Sequence, residues 1–423
     1  MPAPATTTPA TTTPLTRRGI PVDPRLRVLA LGTFVNRAGA GATLTTFALY
    51  FTRVVGLSAA QVGLALSVAA VVGMLAQVPL GHLGDVRGPR EVMAALTAGF
   101  GAVGLLFLVV RDFWTLTLVL AAVTALQNGG GSVRSGYIAR IAVGGQGVAF
   151  KAYLRAVTNL AMSLGAALGG IALWVDRPWA YLAVFAVDGL TGILAGLVSL
   201  RLPHLAPAPA RAAGEPRLAV LRDTPYVVVT LLTGVVAMHF VVMEVGIPLW
   251  VSQHTSAPTA MVAVLLVLNT VAVTLFQVRM TRGVDGVAES SRAMVRGAVW
   301  IAVAFAVIAT SGWLGPVGAA GVLVVGAVIH VVGEMRSSGG QWGVQMGLAP
   351  QERQGQYQGF AGLGFSLSNV VAPTLITVLC IEWGWPGWLV LAALVLGSAL
   401  ALRPVTAWAQ RTRERYGALS ATG

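Results

Sequence analysis

Twelve apolar stretches, each long enough to cross a lipid bilayer, fill almost the whole of this 423-residue chain. A spanning helix needs about 20 predominantly apolar residues. Such segments run over Leu26–Phe51, Ser58–Leu80, Glu91–Val110, Trp114–Ile138, Ala152–Val175, Ala180–Leu200, Tyr226–Val251, Pro258–Val278, Ala293–Thr310, Val317–Ser338, Gln358–Ile381 and Pro386–Val405, numbered 1 to 12 here. Only 10% of the residues are charged, too few to cover a water-exposed surface of this size. The runs are continuous, unlike the short alternating strands of a membrane barrel. The chain is therefore expected to be an all-α, polytopic membrane protein whose first partner is the lipid bilayer.

Charge placement orients it. Of 28 Lys and Arg, only Arg53, Arg111 and Arg177 fall on the odd-numbered connections, and only Arg37 and Arg134 are assigned to helix interiors. The rest gather on the two tails and the even-numbered connections, which the positive-inside rule places in the cytoplasm together with both termini. Trp114, Trp174, Trp179, Trp250, Trp313, Trp383, Trp385 and Trp388 fall at the opposite ends, as an interfacial belt would. The net charge of +13 is thus a topology signal. It is spread over separate short loops and does not indicate nucleic-acid binding. Arg outnumbers Lys 27 to 1, a usage that suggests a bacterial plasma membrane.

Residues 1–25 begin with a Thr-, Pro- and Ala-rich run that lacks the apolar core of a signal peptide, and are expected to form a disordered cytoplasmic tail. The single cysteine, Cys380, excludes an internal disulfide and a cysteine-cluster metal site. Pro203, Pro207, Pro209 and Pro216 mark residues 202–224 as a linker too polar to span. It separates a first six-helix bundle (26–201) from a second (225–408), followed by a tail over 409–423. Six plus six with a central linker is a two-bundle transporter layout.

The sharpest local motif lies between segments 2 and 3, where Gly81, Asp85, Gly88 and Arg90 are set in the run Gly81–Arg90, with Arg87 adding a charge. Glycines allow a tight turn to lie against neighbouring helices. The acid at the membrane edge can pair with a base or with the positive end of a helix. This run resembles the loop signature of the major facilitator superfamily, roughly G-x-x-x-D-R-x-G-R-R, with Val86 and Pro89 replacing two basic positions. Segment 5 resembles the antiporter motif of that family's drug exporters, G-x8-G-x3-G-P-x2-G-G. It keeps Gly165, Gly169 and Gly170 but has Ala152, Ala161 and Ala166 at the other positions. The runs Gly333–Arg336 and Arg353–Gly359 are also similar to segments of bacterial multidrug-type exporters. The resemblance is to the bacterial twelve-helix drug/proton antiporter group. It implies two pseudo-symmetric six-helix bundles, and a loop cluster that stabilises the outward-facing state.

Ionisable groups inside a membrane are costly and are functional candidates by default. They are Arg37 on segment 1, Arg134 on 4, Asp188 on 6, His239 and Glu244 on 7, and His330 and Glu334 on 10. The resemblance implies that segments 1, 4, 7 and 10 line a central cavity, which would hold six of these seven groups. Glu244 and Glu334 are the expected proton carriers, because a carboxyl in a dehydrated cavity can load and release a proton near working pH. His330 and Glu334 lie four apart on one helix face. Arg134 is close enough to the cytoplasmic end to snorkel instead. No Gly-x4-Gly-Lys-Ser/Thr loop points to ATP, and no His-rich spacing points to a metal. The expectation is a monomeric, cofactor-free transporter, not an enzyme, that exchanges a small amphiphilic molecule for protons and works by export. An importer of a sugar, peptide or organic ion and a non-transporting receptor or scaffold are the alternatives.

Overall fold

The computed structural model describes residues 16–17, 20–142, 146–209 and 218–416. The expected disordered tail lies mostly outside these residues, as do the middle of the linker (210–217) and the last seven residues. Twelve helices account for nearly all of the rest. They are α1 (Pro24–Leu49), α2 (Ala59–Arg87), α3 (Pro89–Gly104), α4 (Phe113–Ile141), α5 (Gln146–Val175), α6 (Pro178–Ser199), α7 (Thr224–His254), α8 (Met261–Met280), α9 (Gly286–Thr310), α10 (Pro316–Leu348), α11 (Gln354–Ile376) and α12 (Trp385–Arg411). The one strand pairing among the described residues sets Thr16–Arg17 against Ile20–Pro21.

Eleven of these helices are long and apolar enough to span a membrane. The exception, α1, has 26 residues but carries Asn36 and Arg37 midway. Several helices outrun their apolar segments at one end of the molecule: α2 continues to Arg87, α4 to Ile141 and α10 to Leu348. Hydropathy marks only the part of a helix inside lipid, whereas its hydrogen-bond ladder can continue into water. Local chemistry sets the ends. Ser58 and Gln61 form a capping box at the start of α2, and the Asp112 carboxylate accepts the Trp114 and Thr115 N–H groups at the start of α4. Gly88, at φ 100°, makes the turn from α2 to α3, and Pro89 follows as the first residue of α3.

The packing repeats with a period of six helices. The pairs α1–α5, α1–α6, α2–α4, α3–α4 and α3–α6 recur as α7–α11, α7–α12, α8–α10, α9–α10 and α9–α12. Each half has its own buried core. Phe47, Tyr50, Phe51, Phe107 and Phe185 cluster in the first, and Trp250, Phe305, Trp388 and Leu391 in the second. The halves meet through α2–α11, α4–α11, α5–α8 and α5–α10.

Two sequence expectations are corrected here. Trp250 and Trp388 do not belong to the belt, since both are buried. Their rings meet edge-on at 5.6 Å, and Trp250 Nε1 donates to Ser311 Oγ at 2.9 Å. A tryptophan near a helix end can face its own bundle as readily as the lipid, and position along the chain does not distinguish the two. Trp114, Trp174, Trp179 and Trp313 are exposed at that end. The tail boundary at 409 is also early. Helix α12 reaches Arg411, a 3-10 turn spans Arg413–Tyr416, and Arg413 Nη1 donates to the Gly347 carbonyl at 2.7 Å.

Candidate functional site

At one end of the molecule the halves are clamped. Asp85, in the last turn of α2, is 2% exposed, and its two carboxylate oxygens accept the backbone N–H groups of Gly355 and Gln356, each at 2.8 Å. These N–H groups open α11, so their carbonyl partners within the helix do not exist and the positive end of the helix dipole points at the acid. The approach requires glycines, because a Cβ on Gly81 would run into the Gly355 backbone and one on Gly359 into the Gln77 backbone. Gln77 Nε2 adds a bond to Ser366 Oγ at 2.9 Å. Of the other motif residues, Arg90 binds Glu91 at 2.6 Å and the Leu202 carbonyl at 3.1 Å. Arg87 is exposed and has no polar partner among the described residues. The linker also docks here, with Ala208 N donating to the Asp85 carbonyl at 2.7 Å and Val220 N to Gln356 Oε1 at 3.1 Å.

Deeper in, a second junction centres on Glu334 of α10, 3% exposed. One carboxylate oxygen pairs with Arg155 of α5, and the other accepts from Asn269 Nδ2 of α8 at 2.8 Å. The Arg155 guanidinium also donates to Ser338 Oγ at 2.5 Å and lies 4.9 Å from the ring centre of Phe240. One turn earlier on α5, Lys151 Nζ donates to Gln358 Oε1 of α11 at 2.8 Å. His330 Nδ1 is 3.7 Å from Glu334, and the His239 ring lies 5.3 Å from that of His330. Ligand-capable atoms of His239, His330 and Glu334 all fall within 4.8 Å of one another. Two imidazoles and a carboxylate are a donor set that a transition metal could use, although Arg155 and Asn269 already occupy both carboxylate oxygens. No motif spacing marks this set, because the histidines lie on different helices, α7 and α10.

The first half holds the remaining candidates. Arg37 and Arg134 line one cavity together with Asn36 and Gln127. Asp188 is 9% exposed and accepts from Thr43 Oγ1 at 2.8 Å. It borders an adjoining cavity of about 370 Å³ that shares Arg37. Glu244 belongs to the second half, within electrostatic reach of Glu334 but bonded to none of the other candidates. It sits on a π turn of α7, is exposed, and has no hydrogen bond or ion pair among the described residues. The segment-5 glycines divide likewise. Gly165 and Gly169 press against the backbone of α1 at Ala38 and Ala42, whereas Gly170 faces open space. Two of the three thus pack α5 on α1.

Lys151 and Arg155 are the partners that sequence reasoning missed. Proximity to a helix end assigns both to the cytoplasmic connections, although Arg155 lies within segment 5 and is spaced i, i+4 from Lys151. That shared face of α5 was the available signal.

The sequence model of the Major Facilitator Superfamily matches residues 29–334. Among solved structures, the chain is similar to the human organic anion transporter MFSD10 (TETRAN). The two are 15% identical with a TM-score of 0.66, covering 90% of this chain and 100% of that one. It is similar also to a bacterial homologue of the iron transporter ferroportin in an outward-facing state, at 15% identity and TM-score 0.67, with 92% and 99% covered. A third is the proton:xylose symporter XylE bound to 6-bromo-6-deoxy-D-glucose, at 13% identity and TM-score 0.65, with 89% and 94% covered. At these identities the likeness concerns the fold. A search of curated protein sequences finds no significant match. The family match over most of the chain, on a fold of two repeated six-helix bundles, means that the chain belongs to the Major Facilitator Superfamily and is a membrane transporter.

Proposed function

We propose that this chain exports a small amphiphilic compound in exchange for protons, as a monomer in the plasma membrane with both termini in the cytoplasm. The observation that carries this reading is the buried Arg155–Glu334 pair that joins the two halves. With the positively charged connections inside, the clamped end is the cytoplasmic one. Proton loading of Glu334 from the outer side removes the charge that holds Arg155. The inner junction then loosens, and the bundles rock around the central site. Release of the proton inside rebuilds the pair. Glu244, exposed and closer to the outer end of α7, is a second carboxyl through which a proton can enter. Export is favoured over import by the segment-5 glycines, of which two are in close contact with α1.

The test is transport in liposomes with an imposed pH gradient. Wild-type protein should move cargo against its gradient, opposite in direction to the proton flow. Glu334→Gln should abolish that pumping yet still exchange cargo down its own gradient, because exchange needs no net proton movement. Pumping of equal rate in Glu334→Gln would remove Glu334 from the coupling step. Cargo movement in the same direction as protons would replace export by import.

A further inference from the structure

The cavity of the first half has two unlike regions, and together they specify a ligand class. At its polar end, Arg37 from α1 and Arg134 from α4 line the same space. Neither guanidinium makes a hydrogen bond or an ion pair within 4 Å among the described residues. Arg37 Nε and the neighbouring Asn36 Nδ2 are buried donors with no acceptor. Among the described residues the carboxylate beside Arg37 is Asp188, of which one oxygen accepts from Thr43 and the other is buried without a hydrogen bond. Two arginines thus border a space with one carboxylate nearby, and the Arg37 Nε and Asn36 Nδ2 donors there have no hydrogen-bonded acceptor. Buried donors are normally satisfied, and unpaired charges in a membrane protein mark a ligand or ion path.

The other region adjoins the first, with Arg37, Phe100 and Gln127 lining both. Its walls are apolar, with Phe47, Phe107, Phe185 and Leu120 prominent. The contributing residues of α1 follow one helix face: Arg37, Ala40, Leu44, Phe47 and Ala48. A volume of about 370 Å³ is within the usual range for a small-molecule pocket.

We propose that this cavity is the cargo site and that the cargo is an amphiphilic organic anion. Its carboxylate, sulfonate or phosphate head would be held by Arg37 and Arg134, with its apolar body among the phenylalanines. A planar guanidinium fork suits such oxyanions, and two of them offset the loss of water around the head. The assignment rests on the transporter reading above but not on the direction of transport or its coupling to protons.

The experiment is equilibrium binding to the full-length protein in phosphatidylcholine nanodiscs. Three probes share one apolar body: 2-naphthalenesulfonate, 2-naphthylmethanol and 2-naphthylmethylammonium. The sulfonate should bind about tenfold or more tightly than either of the others. Arg37→Gln and Arg134→Gln should each weaken sulfonate binding about tenfold while leaving the alcohol unchanged, which also shows that the cavity is still formed. Arg134→Lys should recover part of the loss. Equal or tighter binding of the ammonium would overturn the proposal, as would sulfonate binding that neither arginine substitution alters. If both substitutions prevent folding, the ranking of the three probes on wild-type protein decides alone. Nanodiscs that also contain phosphatidylglycerol should give the same sulfonate affinity. Displacement of the sulfonate there would assign the site to an anionic lipid headgroup and overturn the cargo proposal. Anion binding without pH-driven efflux would count against proton-coupled export only.

Discussion

The clamp at Asp85 gives the most direct prediction. Each of its carboxylate oxygens accepts one backbone N–H of α11 at 2.8 Å. In Asp85→Asn the amide oxygen can keep one of these bonds, but the amide NH2 then faces the other N–H, donor against donor. The closed arrangement loses one charge-assisted bond, of about 1.5–3 kcal/mol, and the attraction to the helix end, of about 0.3–1 kcal/mol. The burial cost of the carboxylate disappears as well and offsets part of this loss. A net shift of about 2 kcal/mol changes the ratio of closed to open forms roughly 30-fold. The assay is pulsed electron paramagnetic resonance between spin labels at Val86→Cys and Glu352→Cys in a Cys380→Ser background. Both positions are exposed, and they lie on opposite halves at the clamped end. Wild-type protein should give a narrow short distance, and Asp85→Asn should move much of the population to a longer one. Arg87→Gln, which removes an exposed charge with no partner among the described residues, should change nothing. An unaltered distance distribution in Asp85→Asn would refute the clamp.

Three further outcomes are expected. In thermal unfolding of detergent-solubilised protein, Glu334→Gln should cost about 3–5 kcal/mol, because it strands the Arg155 guanidinium. Glu244→Gln, at an exposed and unpartnered site, should stay within about 0.5 kcal/mol of wild type. Gly165→Ala should lower the melting temperature or the expression yield, since its Cβ has no room against Ala38, whereas Gly170→Ala should be neutral or slightly stabilising. Asp223, just before α7, accepts from Tyr226 N at 3.1 Å and Tyr357 Oη at 2.9 Å, and burial pushes its carboxyl above the usual range. A raised acid binds its proton more tightly in the folded state. Its contribution is therefore complete below the unfolded value and is lost as pH rises through the folded one. Asp223→Asn should lack that loss when melting temperature is followed from pH 4 to 8.

The helices were legible because lipid offers backbone groups no partner, so every crossing must be an apolar helix about a bilayer long. The pairing between them was less so. Asp85 could be read as an acid seeking a base or a helix end. Its choice of the start of α11 depends on Gly81 and Gly355 meeting, and these lie in different halves. Arg155 was read as a cytoplasmic loop charge because basic residues near a helix end usually are. Only the close packing of α5 on α8 and α10 places Glu334 within its reach. Hydropathy assigns a residue to a depth, not to a face. That limit also explains Trp250 and Trp388, which lie at the expected end of their helices but turn inward. The cavity groups Arg37, Arg134 and Asp188 were found because a charge in a long apolar run is conspicuous. Asn36 and Gln127 were not, because a neutral amide carries no charge to single it out as a candidate.

The two inter-half junctions differ in a way that separates a switch from a latch. Asp85 binds backbone N–H groups, which carry no net charge. Its protonation would weaken two bonds without stranding an ion. Glu334 binds the guanidinium of Arg155. Neutralising Glu334 leaves that charge half-buried without its carboxylate, which favours movement of Arg155 toward another partner. On the proposed mechanism, protonation at Glu334 is tied to motion of α5 against α8 and α10, and the Asp85 bonds break as a consequence of that motion. A double-mutant cycle tests this order. Arg155→Ala should leave Glu334 without its charged partner and open the clamped end in the same label pair, with Asp85 intact. Adding Glu334→Gln to Arg155→Ala should cost much less than Glu334→Gln alone, since no buried charge remains to be stranded. Fully additive costs would mean that the two residues act independently, and Glu334 could not then be the group that links proton binding to the inter-half junction.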